Sequence, residues 1–284
     1  MLAVIDRRAT THLTGAEPDW STMVRAVADD VIEADGPDAV LDAVRAYGGV
    51  LRDILTIGAA STAAAALSAA WQSGAEWRTI SLRHVGGPGL DPVALAVGLP
   101  NTLSGRLARA TNPTGTREMQ LVRIEDGAMA GAVLGTVFVV GTAVNVVSAA
   151  LSGRGASKLA GVGRALAQAP FSEPDAAWTS SVVSVGDEVI EGANFLVASA
   201  SALELGPLRV AGGNGALGVS IGEPMGPRDT LRRLASGALP VRSTEGTQIV
   251  LDTTAPWAVD GWSLPASDAR TVRVTMGPTV RVFT

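Results

Sequence analysis

His12 and His84 are the only imidazoles in the 284-residue sequence, and cysteine is absent. A Ser-His-Asp relay, or a metal held by imidazole, would have to be built around one of those two rings. Thiolate nucleophiles, thiolate metal sites, iron–sulfur ligation and disulfides are excluded outright. His12 lies in a polar, Thr-rich stretch and His84 just before Gly86-Gly87-Pro88-Gly89. Neither neighbours a nucleophile elbow, and both read as surface-loop residues. The glycine-rich stretch Ala211-Gly212-Gly213-Asn214-Gly215, taken alone, reads as a hairpin turn rather than a phosphate loop. Trp71, Trp77, Trp178, Trp257 and Trp262 have the surface to line a lipid cleft, but buried packing is the simpler account of each. The stretch Ala156–Ala169, with Lys158 and Arg164, reads as a helix with a solvated face rather than a headgroup contact.

Composition narrows the partners. The net charge of −5 and a pI near 5.1 carry no general footprint for nucleic acid. A hydrophobic share of 47% against 17% charged residues argues for a folded chain, and with only 4% aromatics the core must be Ala, Val and Leu. The uncharged run from Ala128 to Gly153 is long enough to span a bilayer. Its glycines, hydroxyls and Asn145, and the β-branched centre Val137–Val140, read instead as a buried strand, a turn and a helix through Leu151. No transmembrane segment or export signal is expected, and the expected location is cytoplasmic.

The elements that must position any site fall into two patterns. To about residue 112, strands (Leu2–Ile5, Val31-Ile32, Ile54–Ile57, Val93–Val97) alternate with helices (from Trp20; from Pro37 with Val40, Leu41 and Val44 on one face; Ser61–Trp71; Gly105–Ala110). This rhythm predicts a parallel sheet with helices packed on it. After Asn112-Pro113-Thr114-Gly115, strands follow one another at Met119–Ile124, Val133–Val140, Ser181–Val185, Asn194–Ser199, Gly218–Ile221, Gln248–Leu251 and Thr271–Thr275. Helices interrupt them near 141–151 and 227–235. The fold class is therefore α/β + β: a Rossmann-like parallel domain over 1–112 and a mainly antiparallel β-sandwich over 113–284. A cleft is expected between them, and one continuous sheet would count against this division.

This succession resembles the diacylglycerol kinase/sphingosine kinase family of bacterial lipid kinases over nearly the whole chain, although the first strand lacks the family's Asn-Pro-x-Ser-Gly turn. The family's Gly-Gly-Asp-Gly-Thr, at the end of a strand, corresponds to Gly58-Ala59-Ala60-Ser61-Thr62. Its Pro-x-Gly-Thr-x-Asn-Asp-x-Ala-Arg corresponds to Pro100-Asn101-Thr102-Leu103-Ser104-Gly105-Arg106-Leu107-Ala108-Arg109. Its Asp-Asp-Gly-x-Leu corresponds to Gly213-Asn214-Gly215-Ala216-Leu217, and its Asp-Gly-Glu to Asp260-Gly261-Trp262.

The resemblance implies nucleotide contacts from Gly58, Ser61, Thr62, Thr102, Ser104 and Arg109, through backbone donors and side chains. It also implies that the chemistry has been lost. The family's catalytic Asp falls on Ala60, and its general base, a Glu, falls on Trp262, which cannot accept a proton. The carboxylates associated with magnesium fall on Gly213 and Asn214, a neutral and weaker partner for a hard cation. Of these acids Asp260 alone remains, so no metal site and no cofactor are expected.

Three readings follow. The first is a catalytically degenerate lipid kinase that binds a lipid, another small amphipathic ligand, a nucleotide or a protein partner between its domains. The second is a working kinase using ATP and magnesium, with acids relocated to Asp187, Glu188, Glu191 or Glu223. The third is a structural protein that pairs with copies of itself and takes no ligand.

Overall fold

The computed structural model describes residues 1–14, 20–87, 91–127, 129–141, 144, 182–191, 195–205, 208–222, 241–264 and 270–284. Trp178, Lys158, Glu223 and the helices expected at 156–169 and 227–235 lie outside them, as does most of the helix expected at 141–151.

The first part runs β1 (Leu2–Asp6), α1 (Arg7–Thr14), α2 (Trp20–Arg25), β2 (Asp30–Ala34), α3 (Pro37–Ala46), β3 (Asp53–Ile57), α4 (Ala60–Gln72), β4 (Ser81–Val85), α5 (Pro92–Val97) and α6 (Leu103–Thr111). The second part begins with β5 (Thr116–Asp126), β6 (Val133–Gly135), β7 (Val137–Gly141), β8 (Val182–Val185), β9 (Glu188–Glu191) and β10 (Phe195–Ser199). It continues with β11 (Ala202–Leu205), β12 (Leu208–Ala211), β13 (Leu217–Gly222), β14 (Val241–Gly246), β15 (Gln248–Thr253), β16 (Trp257–Val259), β17 (Trp262–Leu264) and β18 (Arg270–Phe283).

Strands β1–β4 are parallel in the order β2-β1-β3-β4. The order reverses direction between β1 and β3, and in open α/β sheets the carboxyl ends at such a switch point are where ligands sit. Helix α4 is buried all round because it is almost entirely small residues, Ala60–Ala70 being buried without exception. Its Ser68 hydroxyl donates to the Ala64 carbonyl (2.6 Å) and accepts from the Leu134 N–H (2.8 Å), pinning β6 against the helix.

The sheet does not stop at Pro113. Strand β18 pairs with β4 in parallel at Arg281↔Ser81 and Val282↔Leu82, and the sheet continues through β15 and β8 to β9, giving ten strands with β5 attached to β18 and β6 to β5. Residue 113 thus marks a change of pairing pattern inside a continuous sheet, counter to the expectation of two separate sheets. A second sheet of six strands, β14-β13-β10-β7-β16-β17, packs on it. One apolar core joins Val4, Ile54 and Leu67 of the first part to Leu196, Trp257 and Val274 of the second. Among the described residues no helix is long and apolar enough to cross a membrane.

Three readings of local structure are corrected. Val93–Val97, expected as a strand, belongs to helix α5. Asp91 caps it, its Oδ1 accepting from the Ala94 N–H at 3.2 Å, Pro92 opens it, and Gly98 closes it in the left-handed conformation (φ 70°). The fourth parallel strand is instead Ser81–Val85, hidden in the sequence by Arg83 and His84. Arg83 lies over the Phe283 ring (4.5 Å to its centre), and His84 is buried rather than in a surface loop. The backbone of His12, also expected in a loop, is helical, in α1.

Candidate functional site

The carboxyl ends of β1, β2 and β3 converge on one side chain. Asp6, the last residue of β1, is 2% exposed. Its Oδ1 accepts from the Ala9 N–H in the first turn of α1 and from the Gly36 N–H at the start of α3, both at 3.0 Å. Its Oδ2 accepts from the Thr62 hydroxyl in the first turn of α4 at 3.1 Å. The positive ends of three helices are thereby answered by one carboxylate of the chain. Gly58 sits beside it: an added Cβ would lie 2.4 Å from Thr62 Oγ1 and 3.0 Å from Asp6 Cβ, so only glycine fits there. The Gly58 N–H donates to the Val85 carbonyl (3.1 Å). Ala60, Ser61 and Thr62 are all buried.

The structure therefore brings Gly58 and Thr62 together, but it engages the Thr62 hydroxyl and the Gly58 N–H within the protein. The buried Asp6 carboxylate lies beside them.

The second stretch lies at the end of β4. Thr102 caps α6, its hydroxyl accepting from the Gly105 N–H at 3.2 Å, and Ser104 is exposed two residues along. Arg109 turns away and donates to the Thr114 hydroxyl. Beneath them is a buried group that sequence reasoning did not single out. His84 Nε2 faces Asp91 Oδ2 at 3.0 Å and its Nδ1 faces Thr56 Oγ1 at 2.8 Å. Arg106, 1% exposed, donates from Nη1 to the same Asp91 oxygen and to the Gly87 carbonyl (2.8 Å), and from Nε to the Pro100 carbonyl (2.7 Å).

Thr56, His84 and Asp91 have the connectivity of a nucleophilic relay, but all three are buried, so they lock β3, β4, α5 and α6 together instead. Gly86 is part of that lock: a Cβ there would lie 1.9 Å from Asp91 Oδ2 and 2.6 Å from His84 Nε2. Burial pushes the Asp91 carboxyl up, yet His84, Arg106 and the Ala94 N–H outweigh it and hold the group below its ordinary value. The signal that could have revealed this group was Asp91-Pro92, an N-cap followed by proline, with Arg106 on the buried face of the next helix.

The remaining motif positions lie in the β-rich part. Asn214 is an exposed turn residue at φ 54°, in a tight turn closed by Gly213 N–H→Ala216 O (3.1 Å) and Ala216 N–H→Gly213 O (3.0 Å). Its side chain has no hydrogen-bond partner among the described residues. Asp260 is buried; its Oδ2 accepts from the N–H and the hydroxyl of Thr136, both at 2.8 Å, and its Oδ1 from the Val137 N–H at 2.9 Å. Burial pushes its carboxyl up to about 7, against the pull of those three donors.

Trp262 is 2% exposed, and its indole N–H donates to Asp38 Oδ1 in the first turn of α3 at 3.0 Å. Trp257 is buried too and donates to Asp126 Oδ2 at 3.0 Å. Trp71 and Trp77 meet edge to face, 5.4 Å between ring centres, at the end of α4. Both tryptophans flanking the Asp260 turn are thus packing residues.

Among the described residues no three His, Asp or Glu side chains converge to hold a metal ion. The residues at the positions the resemblance assigns do not fit a magnesium nucleotide: a buried carboxylate, Asp6, occupies the switch point, and Asn214 lies on an exposed turn.

No family model and no curated protein matches the sequence. Solved structures do, over nearly the full length. Two from Bacillus anthracis str. Sterne are described as candidate diacylglycerol kinases. One aligns with a TM-score of 0.64 at 11% identity, covering 99% of this chain and 96% of the other. The second aligns with a TM-score of 0.61 at 10% identity, covering 99% and 95%. A third from the same organism, described as a diacylglycerol kinase, has a TM-score of 0.59 at 11% identity, covering 99% and 95%. The likeness is one of fold: the chain has the diacylglycerol kinase architecture, an α/β part followed by packed antiparallel sheets.

Proposed function

We propose that this chain is a lipid kinase-like protein that no longer transfers phosphate and instead binds a lipid, a nucleotide or a partner protein. The observation that carries the reading is the Trp262–Asp38 hydrogen bond. Deprotonating a lipid hydroxyl needs an acceptor, and at that position the chain presents an indole N–H already engaged by a carboxylate. The Asp6 cluster supports it, since a phosphate entering the switch point would meet a buried carboxylate.

The reading with relocated acids finds no support in the described residues. Asp187 is exposed in the β8–β9 turn, and Glu188 pairs with Arg242. Strand β9 lies five strand positions from β3 in the ten-stranded sheet, about 24 Å at the usual spacing. Side chains there cannot serve chemistry at Gly58.

Two measurements on the purified protein test the proposal. In the first, labelled phosphate transfer from ATP to diacylglycerols and sphingoid bases stays at background. In the second, calorimetry finds ATP binding weak and nearly unchanged by magnesium. Turnover on any of those lipids, or tight magnesium-dependent binding of ATP, overturns it.

A further inference from the structure

Among the described residues two hairpins share one kind of tight turn, and their side chains meet opposite fates. Asp260-Gly261 joins β16 to β17 with both residues in the left-handed region (φ 50° and 84°). Asn214-Gly215, between β12 and β13, repeats those angles (φ 54° and 83°) inside the pair of hydrogen bonds that joins Gly213 to Ala216. This is the two-residue turn that favours Asp-Gly and Asn-Gly. The Asp260 carboxylate is buried and held by three donors from Thr136 and Val137. The Asn214 amide is exposed and has no partner among the described residues.

We propose that Asn214-Gly215 is a self-modifying site: in the folded protein the Gly215 nitrogen attacks the side-chain amide carbon of Asn214, and the turn passes through a cyclic imide to aspartate and isoaspartate.

The turn leaves both reacting groups available. The Gly215 N–H has no acceptor among the described residues, and a Cβ built on Gly213 or Gly215 would meet nothing within 4 Å, so the loop stands in open space. The turn seen here and its type II′ relative both keep the first central residue at positive φ. They differ by a flip of the Asn214–Gly215 peptide, and glycine in the second position accepts either orientation. That flip swings the Gly215 nitrogen toward the Asn214 side-chain carbon without moving the flanking strands.

The chemistry balances with water as its sole co-reactant. The Gly215 nitrogen gives up its proton as it bonds to Asn214 Cγ, and the bond from Cγ to Nδ2 breaks, releasing ammonia. Water then opens the imide. Attack at Cγ restores the main chain and leaves an aspartate; attack at the main-chain carbonyl leaves an isoaspartate. Either product adds a negative charge to the turn. The isoaspartyl route also inserts a methylene into the main chain, which a two-residue loop closed by two hydrogen bonds cannot absorb, so the Gly213–Ala216 pair must open.

The rest of the chain offers contrasts. Asn214 is the only asparagine followed by glycine: Asn101, Asn145 and Asn194 precede Thr, Val and Phe, and Asn112 precedes proline, whose nitrogen carries no hydrogen. The three Asp-Gly pairs have their carboxylates engaged, Asp35 by Arg7 (2.7 Å), Asp126 by Trp257 (3.0 Å) and Asp260 as above. The modification is independent of whether the protein transfers phosphate.

The tryptic fragment from Val210 to Arg228 carries one side-chain amide, that of Asn214, so its mass reads the conversion directly. Purified protein is held at pH 8 and sampled until a synthetic peptide of the same residues has converted. The fragment from the protein should gain the mass that separates a hydroxyl from an amino group and resolve into aspartyl and isoaspartyl forms. Fragments bearing Asn101, Asn145 and Asn194 should keep their mass, and Gly215→Ala, which crowds the attacking nitrogen, should hold the fragment at its original mass over the same period. In urea below the unfolding transition the rate should stay constant. A fragment that keeps its mass while the peptide converts overturns the proposal. So does conversion of the other asparagines at the same pace, conversion of Gly215→Ala at the wild-type rate, or a rate that climbs with urea before the protein unfolds. Should Gly215→Ala fail to fold, the wild-type protein and the peptide decide.

Discussion

Asp6 Oδ2 and Thr62 Oγ1 share a buried hydrogen bond of 3.1 Å that fastens the end of β1 to the first turn of α4. With the Ala9 and Gly36 amides on its other oxygen, Asp6 binds together three elements that a nucleotide-binding sheet leaves open for a phosphate. Asp6→Ala strands the Gly36 N–H and the Thr62 hydroxyl in a dry site, at a cost of about 3 kcal/mol. Urea unfolding measures the loss. Formate, small enough to occupy the vacated volume, should restore part of it in the variant and none in wild type.

Restoring the missing acids one at a time will not restore activity. Trp262→Glu removes a buried indole and brings a second carboxylate against Asp38, so it should cost about 4 kcal/mol before any chemistry is gained. Adding Ala60→Asp and Asn214→Asp should leave labelled transfer at background, because Asn214 stands on an exposed turn. Thermal unfolding of the single and triple variants, run beside the transfer assay, separates lost stability from absent chemistry.

The pair Asp91–Arg106 is a stronger structural element than any surface ion pair here. Arg106→Met leaves a buried carboxylate without its cation and should cost about 3–5 kcal/mol. Asp91→Ser keeps a cap for α5 while removing the charge. In a double-mutant cycle the two changes together should cost less than the sum of each alone, by a margin that measures their coupling.

Acid should find the same pair. The Asp91 carboxyl is held below its ordinary value of 3.8, so its contribution is present above that pH and is lost as pH falls through the lower, folded value. Arg106→Met removes one of the charges that hold it down. The acid-unfolding midpoint of that variant should rise relative to wild type, with circular dichroism as the readout.

Patterns that depend on regular burial were legible in the sequence. The apolar runs of β1 and β3, the Ala-rich α4 and the Pro37 start of α3 announce themselves, and so does the turn to serial strands after Pro113. What escaped was structure maintained by polar side chains. Strand β4 carries Arg83 and His84, whose partners, the Phe283 ring, Thr56 and Asp91, come from distant or unrelated elements. Helix α5 has strand-like valines, and only its Asp91-Pro92 start distinguishes it. The motif positions were placed in sequence, but what they do was not readable there. That Thr62 is given to Asp6, Thr102 to Gly105 and Trp262 to Asp38 depends on partners no local pattern names.

The two residue pairs that join β18 to β4 govern the order in which this protein can be made. While the chain is being synthesised, β1 to β4 emerge and can align, but the far side of β4 stays open until Arg281 and Val282 have left the ribosome. Most of the polypeptide has to be held in a productive state meanwhile, with an unpaired strand edge available to any other nascent strand. A nascent chain stalled before Arg281 should therefore recruit chaperones and resist release in native form, and one extended past Thr284 by a linker that spans the exit tunnel should close its sheet at once.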